Sequence, residues 1–339
     1  MLEHGGRLLR AAQQQGIPAA QWLDLSTGIS PWPWPVPAVP ASAWHRLPED
    51  EDGLFEAACA YYGAQQVLPV AGSQAAIQAL PTLRARSRVG VIAPGYAEHA
   101  HAWRAAGHTV TTATADALWS EEKTFDVIVL IHPNNPGGDR FTPGALLRLH
   151  ARLAARGGWL VVDEAFMDAS PGESLCGHAS DGLVVLRSIG KFFGMAGARA
   201  GFVCGDASVL SALRERLGPW TLSGPTRWAV CQAMRDVPWQ HAARTNLLAA
   251  SQRLSALLQA HGLREGGGSA FFQWRCHLDA AALHEALARR AVLVRRFDSP
   301  PSLRFGLPAD EAAFARLDAA LAGALDELSE TTAAIGATR

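Results

Sequence analysis

Three side chains able to do chemistry recur at one interval. Asn135, Asp163 and Lys191 stand 28 residues apart, each just after an apolar run that reads as a buried strand. An acid at the end of such a run must find a cation or a strong hydrogen-bond donor, or its pKa moves until it is neutral. Taken alone, Asp163 could equally be a helix N-cap. Lys191 lies in Arg187-Ser188-Ile189-Gly190-Lys191-Phe192-Phe193-Gly194-Met195, with Arg199 further on. It is either a surface lysine that snorkels into water or a desolvated amine. Desolvation, helped by Arg187 and Arg199, would lower its pKa as Schiff-base chemistry requires. Asn135 belongs to His132-Pro133-Asn134-Asn135-Pro136-Gly137-Gly138, which a tight turn alone would explain. In Ala71-Gly72-Ser73-Gln74-Ala75-Ala76 a strand-to-helix turn would present free N–H groups to a phosphate.

The elements that carry these residues follow from apolar patterning. Strands are expected at 67–70, 89–92, 125–130, 159–162, 183–186 and 200–203, with helices at 73–83, 98–106 and 142–155 between them. Ser73 would start the first of these helices and Thr142-Pro143 the last. Strands alternating with helices of this length indicate an α/β fold with a mainly parallel central sheet flanked by helices. After Pro219 the pattern changes to one long helical segment at about 226–261, a glycine break at Gly266-Gly267-Gly268, strands at 270–274, 292–294 and 302–305, and helices at 279–290 and 309–328. That is a smaller α+β domain. Trp32-Pro33-Trp34-Pro35 reads as an extended arm, since proline lacks an N–H, and its tryptophans argue for docking. The expected organisation is an N-terminal arm at 1–45 packing with the small domain, a large cofactor-binding domain at 46–225, and a small C-terminal domain at 226–330.

Composition excludes several classes. The 339 residues carry 30 Lys and Arg against 31 Asp and Glu, a net charge of −1, without the basic excess of a nucleic-acid binder. A hydrophobic share of 49% fills a sizeable core. Five scattered cysteines form no CxxC or Cys/His cluster, so neither a disulfide framework nor a metal site is expected. No apolar run is long enough for a membrane helix and no h-region opens the chain, so a soluble, cytoplasmic protein is expected.

An acid for a ring nitrogen, a lysine for an aldehyde and a cradle for a phosphate together describe a pyridoxal 5'-phosphate site. On these motifs, from Gly28 to Arg304, the chain resembles the fold type I pyridoxal-phosphate enzymes of the aspartate aminotransferase superfamily. The resemblance implies that Lys191 bonds the cofactor aldehyde, Asp163 pairs with the ring nitrogen and Asn135 with the ring 3-hydroxyl. Ser73, Gln74, Ser188 and Arg199 would hold the cofactor phosphate, and Tyr96 would stack on the ring. Arg304 would pair with the substrate carboxylate. Within the superfamily, His4-Gly5-Gly6, Asp24-Leu25-Ser26-Thr27-Gly28-Ile29-Ser30-Pro31, the run from Leu68 to Pro81, and Pro94-Gly95-Tyr96-Ala97-Glu98-His99 resemble the L-threonine-O-3-phosphate decarboxylases of cobalamin biosynthesis. Histidinol-phosphate aminotransferases are the other near relatives.

The implied reaction is decarboxylation of a phosphorylated amino acid to (R)-1-amino-2-propanol O-2-phosphate, with transamination of histidinol phosphate or a related amino acid as the alternative. Arg295 would meet the substrate phosphate, although Arg296 is a candidate too, because adjacent strand residues face opposite ways. His4 and the backbone at Gly28 would add contacts. The family implies a homodimer. Two residues depart from its pattern: Phe166 stands where many members have a tyrosine that bonds the 3-hydroxyl, and Leu47-Pro48 stands where related aminotransferases have Tyr-Pro.

Overall fold

The computed structural model describes residues 5–178 and 180–337, with side chains described to residue 330. His4 lies outside the described residues. The chain divides into two compact units, 32–244 and 1–31 with 245–339. The first boundary therefore falls at Pro31/Trp32 rather than after residue 45. Residues 32–45 group with the sheet-bearing unit because Trp34 donates its backbone N–H to the Phe193 carbonyl at 2.9 Å and its indole N–H to Asp236 at 3.0 Å. The second boundary falls within the helix Val237–Ala260 rather than at residue 225. The helix Gly224–Arg235 stays with the first unit, where Arg227 pairs with Asp52 and Cys231 donates to the Gly53 carbonyl.

A seven-stranded sheet organises unit 32–244. Across it the order is Val67–Val70, Gly201–Gly205, Leu183–Ser188, Trp159–Asp163, Val127–Ile131, Arg88–Ile92 and Thr109–Ala113. The pairings from Leu183–Ser188 to Thr109–Ala113 are parallel. Apolar side chains fill the middle of the sheet, with Val127, Ile128, Val129, Leu130, Leu160 and Val162 all at 0% exposure, as strands covered on both faces require. Gly201–Gly205 runs antiparallel to both neighbours. Its connection from Ser188 contains a four-residue helix and a short 3-10 turn rather than a helix long enough to cover a sheet face. Thr109–Ala113 escapes the hydrophobic pattern because it is a sheet edge, with threonines pointing to solvent.

Helix boundaries moved where local chemistry dictated. The helix after Val67–Val70 covers Ser73–Ala79 and tightens into a 3-10 turn at Leu80–Leu83, where Pro81 cannot donate to an α-helical ladder. Gly72, not Ser73, is its cap residue. The Thr142 side chain caps Pro143–Ala154 by accepting from the Ala145 N–H at 3.3 Å. The long helical segment expected near 226–261 is two helices, Gly224–Arg235 and Val237–Ala260, broken at Asp236.

In the other unit, four antiparallel strands are ordered Arg295–Asp298, Pro301–Gly306, Phe272–Cys276 and Gly266–Ser269. The expected glycine break is thus an edge strand. Its residues close against Trp274 and Gln273 more tightly than a Cβ would allow. Leu23–Asp24 pairs in parallel with Val292–Leu293, and helix Ala280–Arg289 buries Leu283 and Leu287. Among the described residues no helix is long and apolar enough to cross a membrane.

Candidate active site

Within unit 32–244, the carboxyl edge of the parallel strands collects the expected residues. Ile131 pairs with Asp163, and Asp163 with Leu186, so the first two strands end level and the third runs two residues further, to Ser188. Asn135 follows in the loop after Ile131. Ser188 ends the next strand and Lys191 sits in the short helix Ile189–Phe192 that begins there. Open α/β sheets bind ligands at this edge. Asp163 and Lys191 thus leave adjacent parallel strands on the same side of the molecule. The Lys191 ammonium lies 5.5 Å from the centre of the Phe166 ring, which belongs to the turn after Asp163.

Asp163 is 4% exposed. Its Oδ1 accepts the Ala165 N–H at 3.0 Å, and its Oδ2 lies 2.9 Å from His99 Nε2. His99, itself 1% exposed, is a site residue that motif reading missed. The available signal was its spacing: it follows Tyr96 by one helical turn, and their rings meet edge to face at 6.1 Å. With Asp163 ionised, His99 donates to it and fixes the carboxylate's direction.

The residues expected to cradle a phosphate lie on two loops. Gly72 has φ +71°, and a Cβ there would lie 2.7 Å from Arg199 Nη2. Arg199 itself takes a left-handed conformation, φ 53°, uncommon for a side chain of its size, and bonds the Ala196 carbonyl at 3.2 Å. A Cβ at Gly201 would sit 2.5 Å from the Ser73 amide nitrogen. These glycines let the backbone before helix Ser73–Ala79 approach Arg199 and the next strand closely. Gln74 accepts the Tyr96 hydroxyl at 3.1 Å and donates to Glu98 at 3.1 Å, tying the cradle to the aromatic wall. Burial and the Glu98 carboxylate push the Tyr96 phenol up to about 12, so it remains protonated at neutral pH.

The loop bearing Asn135 is held by its neighbour. Asn134 donates to the Pro94 carbonyl at 2.9 Å and to Asp139 at 2.7 Å, leaving Asn135 half-buried at the edge. The parts fit pyridoxal phosphate: a glycine-framed basic cradle, an aromatic side chain, a buried carboxylate backed by histidine, and an amine in the short helix after the adjacent strand.

In unit 1–31 with 245–339, Arg304 is 7% exposed, bonds the Ser26 carbonyl at 2.7 Å and lies over Phe272 at 5.1 Å. Gly28 is buried a few residues beyond Ser26. The antiparallel register sets Arg295 directly across from Arg304. Burial, reinforced by Arg295, pulls the Arg304 guanidinium down to about 10, still charged at neutral pH. Arg295 and Arg296 line one groove of about 520 Å³ together with Arg7, Arg10 and His284. Strand alternation separates their side chains as expected: Arg295 lies over Phe297 at 5.3 Å and Arg296 pairs with Asp298 at 3.1 Å, although both residues border the groove.

A profile of the family described as Aminotransferase class I and II matches residues 48–317. The chain is 59% identical to the threonine-phosphate decarboxylase of Pseudomonas aeruginosa over 95% of its own length and 98% of that protein. It is 43% identical to the threonine-phosphate decarboxylase of a Sinorhizobium species over 94% and 97% of the two chains. Among solved structures, the histidinol-phosphate aminotransferase of Clostridium acetobutylicum is similar with a TM-score of 0.79 at 18% identity, covering 89% of this chain and 99% of that one. With a match across most of its length and relatives this similar, the chain belongs to the class I and II aminotransferase family.

Proposed function

We propose that this protein is a pyridoxal-phosphate-dependent carboxy-lyase that converts L-threonine O-3-phosphate to (R)-1-amino-2-propanol O-2-phosphate in cobalamin biosynthesis. Two threonine-phosphate decarboxylases resemble it over nearly their whole length. The observation in the fold that carries the reading is the register of Arg295 opposite Arg304. Like charges facing each other across two strands are unfavourable. A substrate with a carboxylate at one end and a phosphate at the other would lower that repulsion.

In this reading Ser73, Gln74, Ser188 and Arg199 hold the cofactor phosphate, Tyr96 stacks on the ring, and Asn135 bonds its 3-oxygen. Asp163, oriented by His99, keeps a proton on the ring nitrogen. Bound pyridoxal phosphate supplies a sink for the electron pair left on Cα when carbon dioxide departs. Arg304 binds the substrate carboxylate, and Arg295, with Arg296 beside it, binds the phosphate, fixing the rotation that selects the Cα–carboxylate bond for cleavage. Lys191 would hold the cofactor aldehyde, and its amine, once exchanged for that of the substrate, would be the group that returns a proton to Cα. Unit 32–244 carries the residues read as cofactor-binding, and Gly28, Arg295 and Arg304, read as substrate-binding, belong to unit 1–31 with 245–339. His4 and Gly28 remain part of the proposed substrate contacts. The enzyme is read as a cytoplasmic homodimer. Trp44, Leu47 and Trp220, exposed to 67%, 66% and 59%, are apolar side chains that a second copy would cover.

The test is a product assay. Purified holoenzyme given threonine phosphate should release aminopropanol phosphate and carbon dioxide with no keto acid present. Accumulation of the pyridoxamine form until a keto acid is added, or turnover of histidinol phosphate alone, would assign it to transamination instead.

A further inference from the structure

Behind the Asp163–Lys191 edge lies a buried ionic cluster that the proposed reaction does not use. Arg187 is 2% exposed and immediately precedes Ser188 on the strand leading to Lys191. Its Nη1 donates to Glu164 at 2.7 Å and to the Ser174 hydroxyl at 3.1 Å, and its Nη2 donates to Asp168 at 2.9 Å. Glu164, the residue after Asp163, also accepts from the Ser174 hydroxyl at 2.5 Å and the Leu175 N–H at 2.7 Å. Asp168 further accepts the Tyr61 hydroxyl at 2.7 Å, and Arg244 holds its backbone carbonyl at 2.8 Å. The Tyr62 ring lies 4.6 Å from the guanidinium carbon. Burial works against the Arg187 charge, but Asp168, Cys176 and Glu164 together outweigh it and hold the guanidinium above its ordinary range.

Such a cluster is a poor source of stability, because well-packed apolar side chains of equal volume often serve as well or better. Its placement suggests another use. The Glu164 N–H bonds the Leu186 carbonyl at 2.9 Å, so Glu164 and Arg187 continue the ladder that aligns Asp163 with Leu186. Successive strand residues face opposite ways. A fork from Arg187 to Glu164 and Asp168 therefore pins, from the rear face, the two strand ends whose front carries the carboxylate and, one helical turn on, the amine. We propose that Arg187 is a positioning residue for the decarboxylation, clamping the two strand ends so that Asp163 and Lys191 keep a fixed offset. The inference rests on the roles given to those two residues above.

Two variants of the holoenzyme test it. Arg187→Lys keeps the charge and loses the planar fork. Tyr61→Phe removes one hydroxyl from the far side of Asp168. Each is measured for kcat and KM with threonine phosphate, for the pH midpoint of the bound cofactor's visible absorbance, and for thermal unfolding. Arg187→Lys should lower kcat by about 10²-fold, the size expected of a misplacement near 1 Å, with KM little changed and the absorbance midpoint displaced. Tyr61→Phe should move kcat and midpoint the same way by a smaller factor. A lower unfolding temperature with kcat and midpoint unchanged in both variants would overturn the clamp and leave the cluster purely structural. If Arg187→Lys does not fold, Tyr61→Phe decides, and wild-type values there overturn the proposal. A wild type that transaminates overturns the decarboxylase reading alone, since a displaced midpoint in Arg187→Lys would still support the clamp.

Discussion

The middle of the seven-stranded sheet and its carboxyl edge lie a few residues apart on the same strands, yet obey opposite rules. In the middle, Val127 to Leu130, Leu160 and Val162 are sealed and entirely apolar. At the edge, Asp163, Glu164, Asp168, Arg187, His99 and His132 are nearly as buried, at 4% exposure or less, and all can carry charge. Burying charge is expensive unless each group is paired, and replacing such pairs with apolar residues often leaves a fold as stable or more so. The contrast separates two kinds of work. The middle supplies cohesion, whereas the edge keeps polar groups at fixed places near the surface of the sheet. Substitutions should therefore divide, with middle changes lowering stability and leaving chemistry intact, and edge changes that leave no buried charge unpartnered acting chiefly on chemistry.

The largest effect expected of that division is at Lys191. Lys191→Ala should abolish the visible absorbance of attached cofactor and slow decarboxylation roughly 10⁴-fold, the upper range for losing a positioned proton-transfer group. Its unfolding temperature should hardly move, because the side chain is half-exposed and outside the core. Retention of the band would remove Lys191 from the attachment role. A large drop in unfolding temperature would erase the distinction between edge and middle.

The converse substitution is Leu130→Ala. Leu130 is 0% exposed, and the residue pairs with Val162 on the neighbouring strand. Removing its side chain leaves a cavity and should cost about 2–5 kcal/mol of stability. At temperatures where the variant remains folded, its kcat should match the wild type. A loss of kcat in the folded variant would mean that cohesion and chemistry are coupled through this strand.

How much of this was readable in the chain follows from the same contrast. The middle announces itself, since runs such as Val127-Ile128-Val129-Leu130 can be little else than strands covered on both faces. The edge announces itself through residue types that do not belong at the end of such runs, which is why Asp163 and Lys191 were legible from spacing. His99 was not, because its one-turn spacing from Tyr96 marks only a shared face, and its meaning comes from a partner 64 residues away. Strand direction was likewise hidden. Gly201–Gly205 reads like its neighbours, yet it runs antiparallel to both. The cross-strand meeting of Arg295 and Arg304 depends on register, which sequence periodicity does not supply.

The smallest expected effect concerns an edge group that is neutral by design of its surroundings. His132 is 0% exposed; its Nδ1 accepts the Phe141 N–H at 3.3 Å, and its backbone N–H bonds the Asp163 carbonyl at 2.8 Å. Burial and the nearby Arg140, partly opposed by Glu173, lower it to about 4. The unfolded chain binds a proton at this side chain below about pH 6.5, whereas the native protein does so only near pH 4. Stability therefore falls as the pH drops through that window, by roughly 1.4 kcal/mol per unit, or about 2 kcal/mol between pH 6.5 and 5. His132→Gln cannot titrate there. Chemical unfolding at pH 7 and at pH 5 should show the wild type losing about 2 kcal/mol more than the variant. Equal losses would place His132 in a less sealed setting than the edge provides. Protonating Nδ1 would break its acceptance of the Phe141 N–H, so the same titration also reports on the turn that carries Asn135.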